Sequence, residues 1–96
     1  MNNSDGTVTF KNKEYAIDVQ NGEAKDGAII QIWETNNTAA QKFYLVDTGL
    51  GYCTIHSAIN PQYVIDVRYG ETNDGTQIQL WKFNLSQAQR FKIKHL

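Results

Sequence analysis

Apolar and polar residues alternate along much of this chain with a period of two. Ile17 and Val19 flank Asp18, and Val8 and Phe10 alternate with polar neighbours. The same pattern recurs at Ile30 and Ile32, Phe43 and Leu45, Ile65 and Val67, Ile78 and Leu80, and Phe91 and Ile93. Side chains alternate between the two faces of a strand, so the pattern predicts strands with these apolar residues in the core and Asp18 facing outward. No segment carries a helical stripe.

Turn-forming residues separate the apolar runs. Asp26-Gly27 and Asp74-Gly75 are strong turn dipeptides, Lys11-Asn12 is a polar break, and Asn60-Pro61 interrupts the chain. The pattern therefore predicts about four short strands in each half of the chain and eight in all. The expected fold class is all-β.

The two halves of the chain are copies of one unit. Residues 15–48 align with residues 63–96 without a gap, and fifteen of the thirty-four positions are identical. Each matched pair is 48 residues apart, which is half of the 96-residue chain. We expect a single domain over residues 1–96, with repeat one at about 1–48 and repeat two at about 49–96. No linker separates the repeats.

Each repeat places a tryptophan on the face opposite its apolar residues. If Ile30 and Ile32 face the core, Trp33 shares the outward face with Gln31, and Trp81 lies in the same way with Gln79. An indole packs well on the apolar face of a sugar ring, and neighbouring carboxylate and amide groups can bond to its hydroxyls. The alternative is that both rings cover a strand end or a subunit contact.

The ordered set of motifs in each copy resembles the repeat of ricin B-type (R-type) lectins and carbohydrate-binding module family 13. The motifs are Ile17-Asp18-Val19, the Asp-Gly turn, Gln31-Ile32-Trp33 and Gln41-Lys42-Phe43, with Ile65-Asp66-Val67, Gln79-Leu80-Trp81 and Gln89-Arg90-Phe91 in the second copy. The last motif is similar to the Gln-x-Trp signature of that family, with Phe in place of Trp. The resemblance covers about residues 6–96 and implies β-trefoil lobes.

The resemblance also implies two carbohydrate sites. The first would contain Asp18, Gln31, Trp33, Asn36 and Gln41, and the second Asp66, Gln79, Trp81, Asn84 and Gln89. Galactose- or xylose-type sugars are the expected ligands. Many sugar-binding members have Asn directly before the signature Gln, whereas this chain has Ala40 and Ala88. Each site therefore lacks one expected hydroxyl partner, which leaves weaker binding, a shifted specificity or no binding as alternatives.

Composition and charge exclude several other functions. Nine basic and ten acidic residues give a net charge of -1, which is unsuited to binding nucleic acid or an anionic membrane surface. No apolar run approaches the roughly 18 residues that a membrane span needs, so no membrane insertion is expected. The first twenty residues carry no pattern of a signal peptide, although the family is commonly extracellular.

The remaining reactive residues do not form an enzyme or metal motif. Cys53 and His56 have no second Cys/His pair, and His95 lies near the end of the sequence, so a zinc site is not expected. Asp26 and Asp74 are interpreted as turn formers, and Tyr15 and Tyr63 as packing residues. We expect no catalytic residues, no metal and no cofactor.

A β-trefoil contains three such units, and this sequence supplies two. Repeat folds generally need three or more units to cover their apolar faces. We therefore expect either an absent third lobe or a homo-oligomer. A C3 trimer is favoured over a dimer, because six repeats make two closed trefoils, one of first copies and one of second copies. The functional alternatives to a multivalent lectin are a structural or protein-interaction module with vestigial sugar sites, or a targeting fragment of a larger toxin or glycosidase.

Overall fold

The computed structural model describes residues 1–92, and within them the chain forms eight strands. The strands are β1 (Lys11–Asn12), β2 (Tyr15–Val19), β3 (Ile30–Glu34), β4 (Phe43–Gly49), β5 (Tyr52–Ser57), β6 (Tyr63–Val67), β7 (Ile78–Lys82) and β8 (Phe91–Lys92). Four 3-10 helices of one turn lie at Gln20–Gly22, Ala39–Gln41, Arg68–Gly70 and Gln87–Gln89. The expected all-β fold class is therefore confirmed.

The two repeats form the same hairpin in the same register. Strand β2 pairs antiparallel with β3, with Asp18 opposite Gln31 and Ile17 opposite Ile32. Strand β6 pairs with β7 in the same way, with Asp66 opposite Gln79. The 48-residue equivalence seen in the sequence is thus an equivalence of backbone pairing.

The two hairpins belong to two sheets that are connected through the middle of the chain. Strands β1, β2 and β3 form one sheet, and β4, β5, β6 and β7 follow each other in a second sheet, with β8 paired to β5. Strands β4 and β5 are joined by a tight connection, and the register of their antiparallel pairing shifts between Asp47 and Gly49. The long β4–β5 hairpin therefore joins repeat one to repeat two.

A second connection between the repeats is made by the turn at Asp26-Gly27. The Gly27 amide donates to the Leu80 carbonyl at 2.9 Å, and the Leu80 amide donates to the Ala28 carbonyl at 2.8 Å. One carboxylate oxygen of Asp26 accepts from the Lys82 amide at 2.8 Å. The turn of repeat one thereby covers the outer edge of β7.

A single apolar core draws on both repeats. Its buried members are Val19, Ala28, Ile30, Phe43, Ile55, Ile65 and Leu80. Val8, Phe10, Ile17, Ile78 and Phe91 pack against this core while partly exposed. The period-two pattern therefore predicted most of the core correctly, because alternate residues of each strand do face inward.

Two predicted core residues are exposed. Ile32 is 71% exposed and Leu45 is 41% exposed. Strand β3 pairs only with β2 among the described strands, and β4 is an edge strand that beyond Phe43 pairs only with β5. No neighbouring repeat within residues 1–92 covers these two side chains, so their prediction as core residues was wrong for the single chain.

Other details differ from the sequence prediction. Lys11-Asn12, predicted as a break, forms the short strand β1 against β2, because its backbone pairs with Ala16 and Tyr15. Val8 makes isolated bridges to Asn2 and Phe43 in place of a regular strand. Ile93 and His95 lie outside the described residues. No helix within residues 1–92 is long and apolar enough to cross a membrane.

Candidate functional site

Each repeat has one open groove, and the two grooves are built from equivalent residues. The groove of repeat one has a volume of about 640 Å³, and that of repeat two about 620 Å³. Nine equivalent positions line both, and they include Asp18, Gln31, Trp33, Asn36 and Ala40 in the first groove and Asp66, Gln79, Trp81, Asn84 and Ala88 in the second. The structure thus brings together most of the residues that the sequence grouped into each site.

The tryptophan of each groove is exposed to solvent. Trp33 on β3 is 55% exposed, and Trp81 on β7 is 40% exposed. Because the residues on either side in the strand point to the opposite face, each indole stands on the surface of its hairpin. The prediction that both rings face outward is confirmed.

The aspartate of each groove is buried, which corrects the expectation that Asp18 points into solvent. Asp18 is 5% exposed and Asp66 is 6% exposed. The amide nitrogen of Gln31 donates to Asp18 Oδ1 at 3.1 Å, and that of Gln79 donates to Asp66 Oδ1 at 3.2 Å. Each carboxylate lies on the outward face of its strand, but the side chains around it cover it and leave only its edge open to the groove.

Gln41, the glutamine of the Gln41-Lys42-Phe43 motif, hydrogen-bonds to this carboxylate from beneath the groove. Gln41 Nε2 donates to Asp18 Oδ2 at 2.9 Å and to the Glu34 carbonyl at 2.9 Å, while Gln41 Oε1 accepts from the Asn36 amide at 2.9 Å. The side chain of Gln41 is fully buried and does not line the groove. Its structural position is therefore that of a support for Asp18.

Repeat two contains the same network. Gln89 Nε2 donates to Asp66 Oδ2 at 2.9 Å and to the Lys82 carbonyl at 3.1 Å, and Gln89 Oε1 accepts from the Asn84 amide at 2.9 Å. Gln89 is likewise fully buried. Hydrogen bonds from both amides fix each carboxylate in place, and a carboxylate has further lone pairs with which to accept from a ligand hydroxyl.

The asparagine of each groove shapes the loop after the tryptophan strand. Asn36 Oδ1 accepts from the Thr38 amide at 3.1 Å, and Asn84 Oδ1 accepts from the Ser86 amide at 3.0 Å. Since the oxygen of each side chain is engaged by the loop, the NH₂ group is the part suited to donate to a ligand.

Sequence reasoning missed the residues that follow β2 and β6. Asn21 and Tyr69 both adopt the left-handed conformation, with φ of 63° and 56°, and each lines the groove of its repeat. Tyr69 is 80% exposed, and the guanidinium carbon of Arg68 lies 5.1 Å from the centre of its ring. The available signal was the matched Gly22 and Gly70 directly after these positions, which marks a turn but not the direction of its side chains.

The second groove also receives residues from repeat one. Gly27 and Ile29 line it, because the Asp26-Gly27 turn lies along β7. The first groove instead borders Ile59. The two grooves therefore have equivalent floors and equivalent indoles but differ in the residues of one wall.

The other candidate residues have structural roles. His56 bonds to the Thr54 hydroxyl at 2.8 Å and to the Pro61 carbonyl at 2.7 Å. Burial, with a smaller contribution from Asp47, raises the pKa of the Cys53 thiol above its usual range. Within residues 1–92, no three His, Cys, Asp or Glu side chains are grouped so that they could hold a metal ion. Tyr63 packs against the core, as predicted for a packing residue, whereas Tyr15 is 53% exposed.

Sequence comparison identifies one family. The family model described as "Ricin-type beta-trefoil lectin domain-like" matches residues 1–81. None of the curated proteins gives a significant match.

Several solved structures are similar to this chain. The designed 3-fold symmetric protein ThreeFoil superimposes with a TM-score of 0.82 at 26% identity, over 85% of this chain and 58% of that one. An exo-β-1,3-galactanase from Clostridium thermocellum gives a TM-score of 0.75 at 32% identity, over 80% of this chain and 16% of that one. A mosquitocidal holotoxin, at 15% identity and a TM-score of 0.79 over 94% of this chain, shares the fold.

The chain is shorter than each of these proteins. It spans 58% of ThreeFoil, 16% of the galactanase and 11% of the holotoxin. Two repeats against a three-fold symmetric relative make this a partial trefoil.

Proposed function

This chain belongs to the family of ricin-type β-trefoil lectin-like domains, and we propose that it binds carbohydrate through its two grooves without catalysing a reaction. The observation that carries the proposal is the exposed indole beside a fixed carboxylate, present in both repeats at equivalent positions. A sugar ring can stack on the indole while a hydroxyl donates to the carboxylate.

The arrangement favours binding because its polar groups are held in place before a ligand arrives. Asp18 accepts from two glutamine amides, and the second of these, Gln41, is itself fixed by the backbone of Glu34 and Asn36. Little side-chain freedom remains to be lost when a hydroxyl binds, which lowers the entropic cost of association. The residues that would contact sugar directly are the aspartate, Gln31 or Gln79, the tryptophan and the asparagine of each groove.

Open grooves with one indole each support weak single-site binding. A Kd near 1 mM corresponds to about 4 kcal/mol. Ala40 and Ala88 line the grooves with methyl groups, so they offer no hydrogen bond to a hydroxyl. The proposal therefore includes association of several copies, because several sites on one particle raise the avidity for a surface that carries many sugars.

Galactose- or xylose-type sugars are the ligands that we propose. The galactanase similarity supports the first class, since 80% of this chain aligns with a part of an enzyme that acts on β-1,3-galactan. Tyr69 extends the aromatic surface of the second groove, and Asn21 replaces it in the first. We therefore expect the second groove to bind the more tightly.

A glycan array tests the function. The parent protein is expected to bind galactose- or xylose-containing glycans. Trp33→Ala/Trp81→Ala is expected to lose that binding while it keeps the secondary structure and the number of chains per particle of the parent, as measured by circular dichroism and sedimentation. Tyr44→Ala is the matched control, because Tyr44 is 38% exposed and lines neither groove. Equal binding by the double variant and the parent would show that the indoles are not the platforms.

A second candidate is a module that targets an attached enzyme or toxin to its substrate. The observation that favours it is the small fraction of the galactanase and the holotoxin that this chain matches, 16% and 11%. Sedimentation with an insoluble β-1,3-galactan measures this role directly. Depletion of the chain from solution by the polysaccharide, reversed by free galactose, is the expected result, and no depletion would count against it.

A further inference from the structure

The two grooves differ in charge at one equivalent position. Arg68 lines the second groove where Gln20 lines the first. Among the residues that line the first groove, Asp18 is the one charged side chain, whereas Asp66 and Arg68 are both charged in the second. The lining of the first groove therefore carries one negative charge, and that of the second carries a negative and a positive charge.

The backbone of Arg68 is held in the same way as that of Gln20. The Arg68 amide donates to the Gln77 carbonyl at 3.1 Å, and the Gln20 amide donates to the Ile29 carbonyl at 2.9 Å. Each of the two residues begins a 3-10 turn directly after the strand that carries the aspartate of its groove. The difference between the grooves at this position is therefore a difference of side chain at an equivalent place in the fold.

The side chain of Arg68 lies over the second aromatic ring of its groove. Its guanidinium carbon is 5.1 Å from the centre of the Tyr69 ring, and Tyr69 lines the groove together with Trp81. A guanidinium is attracted to the face of an aromatic ring, and the N–H groups in its own plane stay available to an acceptor. The contact with Tyr69 thus restricts the guanidinium to the groove without occupying its hydrogen-bond donors.

No carboxylate of the described chain pairs with Arg68. The two ion pairs within residues 1–92 join Lys25 to Glu23 and Lys42 to Asp5, each at 3.4 Å. A guanidinium presents its N–H donors as a planar fork that matches the two oxygens of a carboxylate. Arg68 can therefore offer this fork to a carboxylate that a ligand brings into the groove.

Asp66 determines where the negative charge of a ligand can lie. Its carboxylate accepts from the amides of Gln79 and Gln89, so it attracts a ligand hydroxyl and repels a ligand carboxylate. A ligand carboxylate placed at Arg68 gains an opposite charge that offsets this repulsion. In the first groove, the neutral Gln20 supplies no charge that would offset Asp18.

We propose that the second groove selects sugars that carry a carboxylate, and that Arg68 binds this carboxylate. The ligand class is a hexuronic acid, a pyranose whose exocyclic carbon is a carboxylate. Its ring can still stack on Trp81, and a ring hydroxyl can still donate to Asp66, because neither group needs the exocyclic carbon. The selection rests on the proposed sugar binding and adds a preference for charge in the second groove alone.

Two matched pairs of sugars test the preference. They are the methyl glycosides of galactose and galacturonic acid, and those of xylose and glucuronic acid, and the second member of each pair carries the carboxylate. Titrations at low salt are followed through the indole N–H signals of Trp33 and Trp81. At Trp81, the acidic sugar of at least one pair is expected to bind about three- to tenfold more tightly than its neutral partner. At Trp33, the acidic sugar should bind less tightly.

Esterification and salt test whether charge is the cause. The methyl ester of each uronic acid keeps the ring and the exocyclic carbonyl but has no charge, so it should bind at Trp81 like the neutral sugar. Added salt should reduce the preference for the acid, because it screens the attraction between exposed charges.

The repeat supplies the variants. Arg68→Gln gives the second groove the residue of the first, and it is expected to remove the preference for the acid at Trp81 while the neutral sugar still binds. Gln20→Arg is expected to create that preference at Trp33. Arg90→Gln is the matched control, because it removes the same charge from an exposed residue that lines neither groove, and it should keep the preference. Gln20 and Arg68 are also exposed, so the circular dichroism spectrum should not change.

The outcomes separate this selection from sugar binding itself. Acidic and neutral sugars that bind equally at Trp81, or a preference that persists in Arg68→Gln, would overturn the selection while binding of the neutral sugar stands. A preference that Arg90→Gln also removes would overturn it too, because the net charge of the protein would then be the cause. Indole signals that respond to none of the sugars would contradict the proposed sugar binding, and the selection with it.

Discussion

Leu80 and Ile32 occupy the same position in the two repeats, yet Leu80 is fully buried and Ile32 is 71% exposed. The difference comes from their neighbours, because the Asp26-Gly27 turn covers Leu80 and no described part of the chain covers Ile32. The second strand of this hairpin is therefore covered only where the turn of a neighbouring repeat lies beside it.

The two residues should differ in their contribution to stability. Leu80→Ala is expected to lower the free energy of unfolding by about 2–5 kcal/mol, because it leaves a cavity in the core. Ile32→Ala should lower it by less than about 1 kcal/mol in dilute protein, where the side chain stays in water. Urea unfolding at two protein concentrations measures both. If association of copies covers Ile32, the loss of unfolding free energy caused by Ile32→Ala should increase with protein concentration. A small loss at both concentrations would argue that no such interface covers Ile32.

The buried glutamines should matter for stability as well as for binding. Gln41→Ala removes a buried amide donor from Asp18 and also the acceptor of the Asn36 amide, a bond that is partly buried. Leaving buried polar groups unpaired costs about 1–3 kcal/mol, so the midpoint of urea unfolding should fall. Gln87→Ala, at an exposed position, should leave it unchanged. An unaffected midpoint for Gln41→Ala would show that water replaces the lost amide at no cost.

Asp5 should make the chain sensitive to acid. Hydrogen bonds from the Thr7 hydroxyl and the Thr7 amide lower the pKa of Asp5 from 3.8 to about 2. Because the folded pKa lies below the unfolded one, the ionised carboxylate stabilises the fold above about pH 4, and this contribution is lost as the pH falls toward 2. Asp5→Asn is therefore expected to be less stable than the parent at pH 7, by a gap that narrows as the pH falls through 2, where half of the folded carboxylate is protonated. Thermal unfolding across this range measures the difference, and a gap at pH 2 as large as that at pH 7 would contradict the assignment.

The fold could be predicted because each repeat carries, within its own strands, the alternation of apolar and polar residues that defines them. The period of two located β2, β3, β6 and β7, and the spacing of 48 residues predicted that Trp33 and Trp81 stand on equivalent surfaces. These features depend on residues within one strand or on the comparison of the two copies, which a linear pattern contains.

The parts that could not be predicted depend on which element lies beside which. The burial of Asp18 results from Gln41, 23 residues away, which packs beneath it. The exposure of Ile32 results from the absence of a covering repeat within residues 1–92, which alternation cannot express. Tyr69 lines a groove because its backbone turns left-handed, at an energetic cost that only the surrounding structure can impose.

Titration of isotope-labelled protein with galactose or xylose, followed through the indole N–H resonances in proton–nitrogen NMR spectra, tests sugar binding at the grooves most directly. Trp33→Phe and Trp81→Phe assign the two signals. At about 50 mM sugar, well above a millimolar Kd, both indole signals are expected to move and to saturate, with that of Trp81 saturating first. Indole signals that stay in place while the sugar reaches that concentration would contradict the account.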